Sequence, residues 1–300
     1  MIDYIYLGIY KFFSSILHIL PDRATLYLMK SMSRFAYFAG RRHRYIINQN
    51  LKLAFQNRLT QNERDIIGRS AYLNLLDTIF GIMRRERMSR DEVIKNISFS
   101  GSDIIEDAIK NGREIIFITG HLGNWELLSQ ALAIKFNLNL VGVGRELDSK
   151  MMDRVLKENR ERFSVEMVYK RGAMRGCLKA LKDKKAVGIL IDQSLPIGQG
   201  IEINFFNNRA THTTLASTLS RRYKVDLIPV FISTDDYKNY QATIYNPLPY
   251  QKTDNQEEDI LKMTQAQADI MQKVIEQNPK EWFWQHKRWK VFMPEVYKKC

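Results

Sequence analysis

Ile115-Ile116-Phe117-Ile118-Thr119-Gly120-His121-Leu122-Gly123-Asn124-Trp125-Glu126-Leu127-Leu128 is the stretch on which the reading of this chain turns. Residues 115–119 are β-branched or aromatic, as in a buried strand, and Gly120 breaks the run. From Gly123 to about Lys135 the apolar spacing becomes helical. His121 therefore falls at a strand-to-helix junction, with Glu126 one turn into the helix. On a regular helix, residues five apart point roughly 140° from each other. A His placed before the first turn escapes that limit, and its imidazole is expected to fold back onto the Glu126 carboxylate. Such a carboxylate fixes the tautomer and makes the other ring nitrogen a better base toward an alcohol. Backbone N–H groups at the helix start, with Gly123 the candidate, favour a developing oxyanion. A lone His at a strand end also serves as an ordinary hydrogen-bonded structural residue, so residue type alone does not decide.

Outward from this stretch, strand-like runs at 138–143, 165–169, 186–192, 225–232 and 240–245 alternate with helical spacing at 102–110, 149–163, 173–183 and 212–222. That alternation is the α/β signature: a mostly parallel central sheet flanked by helices. Further helices are expected at 44–55, 62–83 and 255–277. No linker divides the middle of the chain, so a catalytic domain over 61–300 is expected behind an N-terminal helical region, 1–60. In open α/β sheets ligands gather at the carboxyl ends of strands. Three such ends carry polar residues: His121, then Gly144-Arg145-Glu146, then Asp192-Gln193-Ser194. Arg145 is either a loop charge or part of that rim, and Asp192 either a cap or a site residue.

The chain has 300 residues, 45% of them hydrophobic, enough for a sizeable core. Its two cysteines, Cys177 and Cys300, are too few for a disulfide framework and fit a reducing compartment. Cys177 lies on the expected buried side of a helix and reads as a small hydrophobe rather than a nucleophile. No Gly-x-Ser-x-Gly elbow occurs. No metal and no cofactor is expected. The net charge of +13 implies an acidic partner or a solvated basic surface. Arg41, Arg42, Arg44, Lys52 and Arg58 fall in an acid-free stretch, and Lys287, Arg288, Lys290, Lys298 and Lys299 form a second excess. Nucleic acid is not the expected partner, since zinc-finger spacing, RNA-binding motifs and aromatic-basic alternation are absent.

Residues 2–20 are nearly all apolar, with Lys11, Ser14, Ser15 and His18 on one narrow stripe and Pro21 at the end. Residues 24–40 form a second aromatic, apolar helix, followed at once by Arg41-Arg42-His43-Arg44. Apolar bulk beside a basic cluster suits attachment to anionic membrane lipids, by a short span or an interfacial hairpin, with the following domain on the cytoplasmic side. The alternative is that both helices are core of a soluble domain.

The Gly120-His-Leu-Gly-Asn-Trp-Glu126 block resembles the His-x4-acid block of glycerolipid-type acyltransferases. In its Glu form, with Asn-Trp before the acid, it is similar to the late acyltransferases of bacterial lipid A biosynthesis. The resemblance covers most of the chain. It extends to Arg44…Asn50-Leu51…Ala54-Phe55, Asp192-Gln193, Gly200…Phe205-Phe206, Thr211 opening the next helix, and Trp284-Gln-His286-Lys-Arg288-Trp289. Around Arg145 the chain departs from the family pattern, with Gly144, Glu146 and Asp148 in place of Tyr, Pro and Asn. The resemblance implies a His121–Glu126 dyad, substrate contacts from Arg145, Asp192, Gln193 and Thr211, and for Arg288 either a headgroup contact or docking of the last segment. It implies acyl transfer from acyl carrier protein to a hydroxyl of a lipid A precursor at the bacterial inner membrane. Lys150, Arg154, Lys157, Arg160 and Arg162, on one helix, either meet the carrier or face water. Competing readings are acylation of another membrane lipid and a non-catalytic basic scaffold at the membrane.

Overall fold

A computed structural model describes residues 2–298; Lys299 and Cys300 lie outside the described residues. The apolar runs become strands because β-branched side chains suit a pleated, buried surface. β2 (Ile116–Thr119), β5 (Ala186–Leu190), β3 (Leu140–Gly144), β4 (Val165–Tyr169) and β8 (Leu227–Ser233) run parallel. β9 (Tyr240–Ile244) is antiparallel to β8 and carries β1 (Ile97–Ser100) in parallel on its outer edge. The strand order is β1-β9-β8-β2-β5-β3-β4.

Strand periodicity sends alternate side chains of β2 to opposite faces. Ile116 and Ile118 join the core under α9 (Ala173–Lys182), α10 (Leu215–Tyr223) and α11 (Gln256–Gln277), together with Trp282, Trp284 and Trp289. Phe117 joins the core under α6 (Ser102–Lys110) and α7 (Trp125–Lys135). Both faces are covered, as a parallel sheet requires.

A third cluster, with Tyr10, Leu17, Met29, Leu73, Phe80 and Met83, is built around the long helix α4 (Gln61–Arg85). Thr60 and Glu63 start α4 with a capping box. α1 (Ile2–Ile19), α2 (Asp22–Ala39), α3 (Arg41–Ala54) and α8 (Lys150–Glu161) all pack on it. α2 buries Thr25, Met29, Ser33 and Tyr37, one residue per turn toward α4. The other faces of α1 and α2 expose Ile9, Phe12, Ile19, Tyr27, Phe35 and Phe38. Among the described residues no helix is long and apolar enough to cross a membrane.

Three local departures from the sequence expectation have simple causes. β1 and the short α5 (Arg90–Ile94) are too brief to show a period. α7 starts at Trp125, not Gly123, because Gly123 takes a left-handed φ of 55°. The helix expected from residue 212 starts at Leu215, since β7 (Asn208–His212) pairs antiparallel with β6 (Ile201–Phe205). Phe206 and Asn207, both at positive φ, make the tight turn of that hairpin. Thr211 therefore lies in a strand and does not open a helix.

Trp284 is fully buried, edge-on to Trp282 with ring centres 4.6 Å apart, and donates its indole N–H to Pro279 O. Trp284→Ala is expected to cost about 3–5 kcal/mol in urea unfolding.

Candidate active site

The loop from Gly120 to Asn124 joins β2 to α7 and is held along its length. Gly120 is crowded: a Cβ there would lie 2.3 Å from Met271 Cε, which would have to move aside, and 3.2 Å from Asp192 Cγ. His121 O accepts from Phe283 N, Leu122 bridges to Trp282, and Gly123 N donates to Glu281 O at 2.9 Å. A Cβ on Gly123 would lie 2.2 Å from Ile232 O, so only Gly fits. Asn124 caps α7, its Oδ1 accepting from Leu127 N. Its Nδ2 donates to Asp77 Oδ2 of α4 at 2.8 Å, and Asp77 Oδ1 accepts from Tyr240 Oη at 2.8 Å. The cap is thereby tied to α4 and β9 at once.

The carboxylate on the His121 ring is Asp192, which corrects the expected fold-back onto Glu126. Nδ1 lies 2.8 Å from Asp192 Oδ1, while Asp192 Oδ2 accepts from His121 N and from Trp282 Nε1, each at 2.8 Å. The reason is register. Thr119 pairs with Leu190, so His121 and Asp192 each stand two residues past a paired position on adjacent parallel strands. Burial opposes the Asp192 charge, but the adjacent His121 ring and these hydrogen bonds outweigh it and hold the carboxyl well below the usual range. An ionised carboxylate only accepts, so Nδ1 carries a proton, and in the neutral tautomer Nε2 is the acceptor. Nε2 stands 3.4 Å from Gln193 Nε2, and the ring packs edge-on to Trp125, centres 5.0 Å apart.

Glu126 instead grips Arg160 of α8 through two bonds, Nε–Oε2 at 2.8 Å and Nη2–Oε1 at 2.5 Å. Burial works against its charge, and Arg160, then Arg85 and His121, more than compensate and keep the carboxyl below its ordinary value. Glu126 and Arg160 both line a cavity of about 70 Å³ between α7 and the sheet. Its other walls are mostly apolar, among them Leu128, Leu132, Leu140, Val165 and Met167.

Arg160 is the site neighbour that sequence reasoning places wrongly, among the charges of α8 that face water or a carrier. It follows Met152, which packs on the core, by eight residues and so lies near the same face of α8, a signal its charge obscured. Arg162 stays exposed but is tied to the end of α4, donating to Arg85 O, Glu86 O and Met88 O. Arg145 is exposed and paired with Asp148 at 2.7 Å, away from the ring. Thr211 is buried, its Oγ1 accepting from Leu195 N and donating to Leu195 O, which pins the segment after Gln193. Arg288 is fully buried, donates to Thr211 O and stacks on Phe205, so it docks the last segment and offers nothing to a headgroup. The Gly123 N–H is spent on Glu281 O and is not open to an oxyanion. Cys177 is buried, and burial pushes its thiol up to about 11, outside the range of a nucleophile at neutral pH.

An imidazole with Nδ1 held by a carboxylate and Nε2 in only a long contact with Gln193 can take a proton from a hydroxyl that displaces that contact. Beside an apolar cavity, such a base suits the transfer of an acyl chain to an alcohol, the work of an acyltransferase. The chain belongs to the bacterial lipid A biosynthesis acyltransferase family, whose model matches residues 1–291. It is an enzyme of lipid A acylation on that ground. No curated protein matches the chain.

Glu281 supplies a pH test of the loop that backs the site. Its Oε1 accepts from Thr234 N, its Oε2 has no hydrogen-bond partner, and burial, with some repulsion from Asp77, pushes it up to about 7. The folded chain therefore holds a proton that the unfolded chain gives up near 4.5, and stability falls as pH rises between those values. Glu281→Gln keeps the acceptor and removes the titration. Unfolding curves across that window should lose a slope worth on the order of 3 kcal/mol.

Proposed function

We propose that this enzyme moves a fatty acyl chain from the thioester of acyl carrier protein to a hydroxyl on an acyl chain already carried by the lipid A precursor. The observation that carries the reading is the His121–Asp192 pair, whose ring packs on Trp125, a wall of the apolar cavity. In the proposed reaction His121 Nε2 takes the acceptor hydroxyl proton, and Asp192 stabilises the resulting imidazolium. The oxygen attacks the thioester carbonyl. The tetrahedral intermediate collapses, the C–S bond breaks, and the imidazolium returns its proton to the departing thiolate. No acyl-enzyme is needed, which agrees with the inert environment of Cys177.

Glu126 keeps a place in this scheme, though a different one from orienting the ring. It fixes Arg160 at the cavity wall, where the guanidinium can meet the negative charge on the carbonyl oxygen. The cavity walls made by Leu132, Leu140 and Val165 would receive the donor chain. The exposed apolar faces of α1 and α2, with Arg41 and Arg42 following, suit a hairpin lying on the cytoplasmic surface of the inner membrane.

Incubation of a lipid A precursor with the enzyme and acyl carrier proteins of several chain lengths, read by mass spectrometry, tests donor and reaction together. A mass gain equal to one acyl group is expected. Its absence with every carrier, alongside a gain from another acyl thioester or on another membrane lipid, would replace the donor or acceptor named here. His121→Ala should lower the rate by about 10²–10⁴ with the fold retained. Asp192→Asn should lower it too, while near-wild-type turnover in both variants would remove the pair from the mechanism. Ser129→Leu, which fills the cavity beside Glu126, should shift the preferred donor to a shorter chain in the same assay.

A further inference from the structure

A second concavity lies away from the His121 ring, on the far side of the Asn124 cap. It encloses about 290 Å³ between the start of α2, the end of α4, α5 and the 236–240 turn. Arg85 sits at its base, 4% exposed, and its guanidinium makes no hydrogen bond among the described residues; Nε and Nη2 are both buried and unpartnered. Gly81 makes room for it, since a Cβ there would lie 2.5 Å from Arg85 Nη1. Glu126 and Asp77 balance its charge only at longer range. A buried guanidinium left unbonded is costly, and the cost is recovered when a ligand supplies the acceptors.

The rim repeats the sign. Arg23, Lys95 and Lys238 are exposed around the opening. Five cations against four acids leave the lining with one net positive charge, and each acid already has a hydrogen-bond partner. Asp22 holds Arg84 at 2.6 Å, Glu92 caps Ser89, Asp236 accepts from Lys238 N and Asn239 N, and Asp77 takes Tyr240 and Asn124. The first turn of α2 opens onto the same space, and its unpaired N–H groups add partial positive charge. Several converging cations with a fork-shaped Arg at the base suit a multiply charged, multidentate anion better than a single carboxylate.

We propose that this cavity is a binding site for a phosphate group, seated on Arg85 and closed over by Lys238 and Arg23. The phosphate is either that of a small soluble phosphomonoester or that of a lipid headgroup entering beside the exposed Ile19 and Tyr27. The site is independent of the acyl-transfer reading, because it is read by binding without turnover.

The full-length protein is titrated with inorganic phosphate and with glycerol 3-phosphate by calorimetry, and floated with phosphatidylcholine vesicles with and without phosphatidic acid. Saturable binding of the soluble phosphates identifies a small-molecule source. An increment in flotation that requires phosphatidic acid, without soluble binding, identifies a headgroup. In either case Lys238→Glu and Arg85→Gln should weaken the binding by at least about tenfold, while Lys273→Glu, the same charge change on exposed α11 surface, should not. Lys238 is on the surface, so its variant keeps the test decisive even where Arg85→Gln fails to fold. No saturable phosphate response in any arm, or a response that survives Lys238→Glu, overturns the proposal.

Discussion

One buried carboxylate organises this molecule. Asp192 accepts from the backbone and ring of His121 and from the indole of Trp282, so three separate parts of the chain meet on a single side chain. The loop after β2, the loop after β5 and the tail after α11 are also joined by Phe283 N to His121 O, Gly123 N to Glu281 O and Ser194 N to His286 Nε2. A charge this deeply buried is tolerable only when its lone pairs are occupied. The same donors that satisfy it set the tautomer of His121 and the direction of its other ring nitrogen. The chemistry of the ring and the docking of the tail thus share one desolvated charge.

Helix α4 is the second organiser. Asp77 holds the Asn124 cap, Asn74 donates to Lys280 O and accepts from Tyr237 Oη, and Asn159 of α8 donates to Ile82 O. Such polar networks are expensive when incomplete and directional when complete. Here they fix where α7 begins, and so where His121 and Glu126 stand relative to the sheet. They also tie the N-terminal helices to the site, because α1 and α2 pack on the other side of α4. The guanidinium of Arg85, unbonded among the described residues, is the exception in this network, and it faces a cavity with Arg23, Lys95 and Lys238 on its lining.

Much of the fold was legible because β-branched runs and helical spacing report burial locally. The central strands at 116–119, 165–169 and 186–190 follow that pattern closely. The edge strand β1 and β7 did not stand out, being short and partly exposed, while β6 was read only through the family resemblance although Ile201 to Phe205 alternates apolar and polar. At the site, His121 was legible from its position at a strand-to-helix break. Its partner was not, because a carboxylate five residues away in sequence is a natural candidate, while one 71 residues away is invisible without strand register. Arg160 was obscured in the same way: its neighbours on α8 are charges that face water, and only the packing of α8 beside α7 turns it inward onto Glu126.

Local sequence determined the strand, the break and the helix, and hence that an imidazole would stand at the carboxyl edge of a parallel sheet. That Gly123 has no room for a Cβ was decided by tertiary structure, since the atom in the way is Ile232 O. Tertiary structure alone decided which carboxylate holds the ring, which guanidinium Glu126 holds, and that Arg288 is walled in while Arg145 is left on the surface. Those choices depend on strand order and helix packing, which bring together residues that no short-range pattern relates. Side-chain pairing follows distance in space, and distance in space is set by the sheet.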